Sequence, residues 1–297
     1  MDFDLVEIAS DPCLGAAEND DCASFVQTAA SVYAWVIDGG TSVAETNYLG
    51  AEVGDVAWFS QALSAAMKIH AGRELSAKAL HGLAAAEVAL AYDTAVGNCR
   101  DGVPLYAKPI AAVTIVRIVG SGDHCRLDLF HLADCPAFVM HNAGEVTRIT
   151  EHENVEAEIG LKARVVASQT KHGFEPKAVL GEQLPWLRER REAQLRADSL
   201  SISTPTPGCA FGGWEKTVAL ANADAIVLMS DGFERYAAEY ALGDDRDMVL
   251  ATLRDGAGQV LRQVRDLEHS DPACRAFPRL KVSDDATCLV LRRTGST

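Results

Sequence analysis

Four apolar runs rich in β-type residues each meet an aspartate at a turn, and this pattern limits the chain to folds that bring strand ends together. Tyr33-Ala34-Trp35-Val36-Ile37 runs into Asp38-Gly39-Gly40. Leu127 to Leu132 runs into Ala133-Asp134-Cys135-Pro136, and Ala225 to Met229 into Ser230-Asp231-Gly232. Asp284-Asp285-Ala286-Thr287 opens the fourth run, Cys288 to Leu291. A carboxylate at the mouth of a buried strand has its backbone fixed by the sheet and its oxygens at the edge of the core. Several such groups converging make a hard, oxygen-rich site suited to Mg²⁺ or Mn²⁺. Taken singly, each aspartate reads more readily as a helix N-cap or an Asx-turn than as a ligand.

The element order predicts the layers. Alternation over 3–8 and the run ending at Asp38 read as strands, and Val53–Ala71 and Glu74–Asn98 as two adjacent long helices. Strands follow over Ile110–Val119, Leu127–Leu132 and Ala137–His141, with a turn at 142–144. Residues 151–197 read as helical and highly charged, with the Arg- and Glu-rich run from Arg188 to Arg196 as a solvated helix face. Strands over 216–219 and 225–229, helices over 233–241 and 247–268, and a final strand over 287–292 complete the chain. Strands and helices do not alternate regularly, which argues against a doubly wound parallel sheet and favours an α+β arrangement of antiparallel sheets flanked by helix pairs. No internal repeat or linker divides the 297 residues, so the expectation is one domain over 1–297, with 151–197 a helical flap or insertion.

Composition narrows the function classes. Hydrophobic residues at 48% and charged residues at 23% belong to a folded chain. A net charge of −15 argues against a nucleic-acid backbone or an anionic membrane as partner, and would repel a phosphate-bearing substrate unless bound cations reverse the local field. No apolar stretch approaches the ~18 residues needed to span a bilayer, and Met1-Asp2-Phe3-Asp4 is unlike a signal peptide. Eight scattered cysteines without a C-x-x-C pair read as reduced thiols, and a cytoplasmic location is expected. The histidines show no H-x-x-x-H or H-x-H spacing; His70 and His81 fall on helices and read as surface or core-edge residues. Cys135 reads as a buried small hydrophobe, and Arg100, Lys108 and Arg126 are candidate phosphate partners.

The acidic blocks also stand in a recognisable order: Asn19-Asp20-Asp21-Cys22, Asp38-Gly39-Gly40-Thr41, Ala133-Asp134-Cys135, Ser230-Asp231-Gly232-Phe233 and Asp284-Asp285-Ala286-Thr287. This order and spacing, from about residue 5 to 292, resembles the metal-dependent protein phosphatases of type 2C, especially their divergent bacterial branch. That family reads N-E-D-A, D-G-x-G, G-D-S, S-D-G and D-N-x-T. The resemblance implies a four-layer α-β-β-α sandwich with a binuclear Mg²⁺ or Mn²⁺ centre at one end of the two sheets. It implies that Asp38 bridges both ions, that Gly39 gives a carbonyl, and that Asp231 and Asp284 complete the first site. Asp20 and Asp21 would lie on the other side, and Asp134 with Asp231 would hold a weaker third ion. The implied reaction is hydrolysis of a phosphate monoester, most plausibly phosphoserine or phosphothreonine in protein, by a hydroxide bridging the ions. The implied catalytic carboxylates are Asp38, Asp231 and Asp284, and the implied partners are a phosphorylated protein and a cognate serine/threonine kinase or its targets.

The chain departs from the pattern at five points. Asp20 replaces the glutamate of N-E-D, Gly40 stands where eukaryotic members carry a histidine, and Ala16 where they carry a phosphate-binding arginine. Ala133-Asp134-Cys135 replaces G-D-S, and Asp284-Asp285 replaces D-N. Two readings compete. Asp38-Gly39-Gly40-Thr41-Ser42 also resembles the first phosphate motif of actin-like sugar kinases and ATPases, without a matching second block. The missing arginine and histidine suit a catalytically silent phosphatase-like module. An aspartyl-phosphate enzyme is excluded, because Gly40 stands where the second aspartate of D-x-D is needed.

Overall fold

The computed structural model describes residues 2–50, 53–97, 102–151, 155–172 and 174–294. The strand β3 (Ser31–Gly39) shows how the layers form. It is buried on both faces, with only Asp38 part-exposed. Its side chains alternate between two cores: Val32, Ala34 and Val36 point one way, Tyr33, Trp35 and Ile37 the other. A two-faced strand of this kind requires a layer on each side.

One five-stranded sheet has the order β10-β5-β4-β3-β2, built from β2 (Cys22–Gln27), β3, β4 (Ala111–Val119), β5 (Arg126–Leu132) and β10 (Trp214–Ala219). The other has the order β1-β12-β11-β6-β7, from β1 (Phe3–Asp11), β6 (Ala137–His141), β7 (Glu145–Arg148), β11 (Ala223–Met229) and β12 (Ala286–Arg293). All pairings within the two sheets are antiparallel. Val36, Val116, Leu129, Val139, Ile226, Leu228 and Leu289 fill the space between them. The helices α1 (Asp55–His70) and α2 (Ala77–Val96) cover the first sheet through Phe59, Leu63, Met67, Leu80 and Ala84. The helices α5 (Asp231–Ala238), α6 (Asp245–Asp255) and α7 (Ala257–Ser270) cover the second through Phe233, Met248, Val260 and Val264. The result is the expected α-β-β-α sandwich. A further helical pair, α3 (Val155–His172) and α4 (Pro176–Leu195), fills most of the region read as a flap, and a two-stranded parallel pair, β8 (Ser199–Leu200) with β9 (Ala210–Phe211), follows it.

Three local expectations are corrected. The single helix expected over 247–268 is two, because Gly256 adopts φ 92° and Glu7 of β1 caps the second, accepting from the N–H groups of Ala257 and Gly258 at 2.9 and 3.0 Å. His81 is fully buried, its Nε2 2.9 Å from Ser203 Oγ and its ring against Phe211 and Phe130. The arginine run on α4 is not solvated throughout: Arg191 is 8% exposed and donates to Thr41 O, while Arg188 donates to Val43 O and lies over the Tyr106 ring. Among the described residues no helix is long and apolar enough to cross a membrane.

Candidate metal-binding cleft

Strand register brings the aspartates to one end of each sheet. In the first sheet Gly39 pairs with Ala111, Ile37 with Cys22 and Val113 with Leu132, so the end of β3, the starts of β2 and β4 and the end of β5 lie together. Asp38, Asp20-Asp21 and Asp134 follow from that register. In the second sheet Met229 pairs with Cys288 and Asp11 with Ala286, which sets Asp231 beside Asp284-Asp285. A cleft of about 440 Å³ opens where the two ends meet, lined by Asp38, Gly39, Asp134, Asp231 and Asp284.

Asp20 and Asp21 are not among the residues lining the cleft; they pack behind it. The N–H of Asp21 donates to Asn19 Oδ1 at 2.9 Å, an Asx-turn, and Asn19 Nδ2 donates to Ser10 Oγ. Asp20 lies directly on Gly39: a Cβ there would stand 2.5 Å from Asp20 O and 2.6 Å from Val56 Cγ1. Close approach therefore explains the glycine after Asp38. Gly232 after Asp231 has the same cause, since its Cβ would come 1.9 Å from Asp285 O. Asp285 itself accepts from the N–H of Cys13 at 2.9 Å, so its carboxylate serves a turn.

The electrostatics divide the cleft in two. Burial, then the carboxylates of Asp231, Asp21, Asp134 and Asp284, push Asp38 well above the usual carboxylate range. Burial also raises Asp21 strongly, against the lowering influence of the Ser230 and Thr287 hydroxyls. Those hydroxyls are not within good hydrogen-bonding geometry: Asp21 is 5% exposed and both its oxygens lack a partner. Asp20 is pushed up to about 6 by burial and then by Asp285. Asp284 behaves oppositely. Burial pushes it up, but Lys281 and Arg235 outweigh that and hold it below the usual range. Arg235 Nη2 donates to Asp284 Oδ2 at 2.8 Å and Lys281 Nζ pairs with Oδ1.

With the side chains so disposed, no three His, Cys, Asp or Glu among the described residues enclose an ion. The donor set nonetheless fits a hard divalent cation on the Asp38 side. The two orphaned oxygens of Asp21 and the crowding of carboxylates around Asp38 are features that such a cation would relieve.

The opposite wall was not legible in sequence. Leu161, Lys162 and Val165 of α3 and Arg190 and Gln194 of α4 line the cleft, as do Arg235, Glu239 and Arg279. Arg235 follows Asp231 by four residues on α5, a one-turn spacing that could have flagged it. Of the arginines and lysine expected to meet phosphate, Arg100 lies outside the described residues. Lys108 donates to Thr206 Oγ1 at 3.4 Å, and Arg126 sits at the start of β5, the end remote from Asp134. Cys135 is fully buried in the inter-sheet core, as expected, and burial followed by Asp38 pushes its thiol up.

The same layers and the same chain order occur in bacterial serine/threonine phosphatases. The catalytic domain of the phosphatase PstP in complex with two manganese ions matches with 17% identity and a TM-score of 0.52, covering 98% of each chain. Stp1 from Staphylococcus aureus matches at 13% identity and TM-score 0.55, over 97% of this chain and 94% of that one. The S. agalactiae serine/threonine phosphatase matches at 12% and 0.56, over 98% and 99%. This chain has the type 2C phosphatase fold. No protein-family model matches the sequence, and no curated protein matches it significantly.

Proposed function

We propose that the chain is a metal-dependent phosphatase of the type 2C kind, hydrolysing phosphate monoesters. The observation that carries this reading is the convergence of Asp38, Asp134 and Asp231 from three strand ends onto one cleft, with Asp21 buried and unpartnered behind them. Those three carboxylates, the Gly39 carbonyl and, from behind, Asp20 and Asp21 would hold Mg²⁺ or Mn²⁺; Asp284 is the remaining carboxylate that the resemblance assigns to the set. When bound, such ions supply an activated water and neutralise charge on a phosphoryl group.

The chain's own residues do the rest. Lys162, Arg190 and Arg235 line the cleft and would orient an anionic substrate in an otherwise acidic molecule. No side chain stands at Gly40 to protonate the leaving group, so that proton comes from water. The helices α3 and α4 act as the flap over the cleft. The substrate class is phosphoserine or phosphothreonine in protein, supported by the serine/threonine phosphatases that share the fold, with a serine/threonine kinase or its targets supplying it.

The experiment is hydrolysis of p-nitrophenyl phosphate and of a phosphothreonine peptide, with a chelator and with Mn²⁺ or Ca²⁺ restored. Chelation abolishes turnover, and Mn²⁺ restores it better than Ca²⁺, which is larger and needs more ligands. Undiminished turnover in chelator would refute the reading. A folded protein that binds Mn²⁺ without turnover would favour the silent module.

A further inference from the structure

Both oxygens of Asp284 already face a cation. Lys281, three residues upstream, pairs with Oδ1, and Arg235 Nη2 donates to Oδ2 at 2.8 Å. The N–H of Asp285 adds a donor to Oδ1 at 3.2 Å. Arg235 cannot readily leave. Its Nε lies 3.6 Å from Glu239, its Nη1 lies 3.6 Å from the fully buried Glu268, and its side chain is 12% exposed. Withdrawing it would take one counter-ion from Asp284, Glu239 and Glu268, although Glu268 keeps Arg265 at 2.7 Å.

Asp38 has the reverse surroundings. The donor to its carboxylate is a backbone N–H, and its strongest charged neighbours are four carboxylates. A divalent ion at Asp284 would meet two positive charges at contact distance, whereas the strongest charged neighbours of Asp38 are carboxylates. We infer that Lys281 and Arg235 take Asp284 out of the metal-binding set. The chain then holds one divalent ion, from the Asp38, Asp134 and Asp231 side. Arg235, which lines the cleft, supplies there the positive charge that a second ion would bring. The inference rests on the metal-dependent reading above and alters its stoichiometry.

Calorimetric titration of the full chain with Mn²⁺, checked by electron paramagnetic resonance of free Mn²⁺, reads this without any turnover. The wild type binds one ion. Asp284→Asn leaves its dissociation constant within about threefold, and Asp38→Asn weakens it by more than about tenfold. Two ions on the wild type would overturn the inference and leave the phosphatase reading intact. So would an Asp284→Asn variant weakened as much as Asp38→Asn. No Mn²⁺ binding by the folded wild type would overturn both.

Discussion

The backbone N–H of Asp231, the first residue of α5, donates to Oδ2 of Asp38 across 3.2 Å, joining residues 193 apart in the chain. Asp38 ends a strand of one sheet and Asp231 follows a strand of the other, so this bond closes the sandwich at the cleft. It also turns a carboxylate oxygen toward a helix N-terminus, where partial positive charge favours it.

Asparagine at 38 keeps an oxygen able to accept from Asp231 and removes one of several crowded negative charges. Asp38→Asn is therefore expected to fold with a melting temperature in chelator equal to or above wild type. Manganese-dependent hydrolysis of p-nitrophenyl phosphate falls by more than about a hundredfold. Asp231→Asn should lose activity similarly. Near-normal turnover of Asp38→Asn with its metal bound would show that the site is elsewhere.

The two glycines beside these aspartates are packing residues, and one can be contrasted with a helical glycine. A Cβ at Gly232 would overlap the backbone carbonyl of Asp285 at 1.9 Å, and that carbonyl is anchored at the start of β12. Gly232→Ala is expected to destabilise by about 3 kcal/mol or more. At Gly82, inside α2, a Cβ meets nothing within 4 Å, and Gly82→Ala is expected to stabilise by about 0.5–1 kcal/mol. Urea unfolding of both variants measures the difference; a tolerated alanine at 232 would sink the close-approach account.

How much of this was legible beforehand depended on range. Buried strands such as β3 and β4 announce themselves by composition, and the aspartates at their ends by position. The edge strand β7 was missed because four residues with alternating partial exposure, Glu145 to Arg148, resemble a loop. The break at Gly256 was missed because helical periodicity continues across it, and the Glu7 cap comes from the first strand. The arginine on Asp284 was out of reach for a stricter reason. Arg235 is 49 residues away, and only the sheet register makes the two neighbours.

The arginines of α4 give a third prediction. Arg191 donates to Thr41 O at 2.9 Å from a buried position that pulls its pKa down to about 10, and Thr41 lies three residues after Asp38. Arg191→Ala should cost about 2–3 kcal/mol, leaving a carbonyl unpaired beside the cleft. Arg196, the C-cap of the same helix, makes an exposed pair with Glu192, and Arg196→Ala should stay within about 0.5 kcal/mol. Hydrogen exchange should quicken over residues 41–45 in Arg191→Ala alone. Equal effects of the two substitutions would mean that α4 is not docked through Arg191.

Two fully buried histidines contribute to the response to acid. Burial brings His81 down to about 3; burial and then Arg148 bring His131 down to about 4. His131 Nδ1 lies 2.8 Å from Thr114 Oγ1, and neither His81 Nδ1 nor His131 Nε2 has a partner. In the unfolded chain both rings protonate near pH ~6.5. Above that pH both states are neutral and the histidines leave stability unchanged. As pH falls from about 6.5 to 4 the unfolded state takes up protons that the native state refuses, so stability is lost, on the order of 3 kcal/mol for His131. Asp20, raised to about 6, works in the opposite direction, because the native state binds its proton first. Measured against wild type, His131→Gln cancels that common background. Its stability should fall less steeply between pH 6.5 and 4, by up to about 1.4 kcal/mol per pH unit for one proton. Parallel stability curves for the two proteins would show that His131 does not titrate as its burial requires.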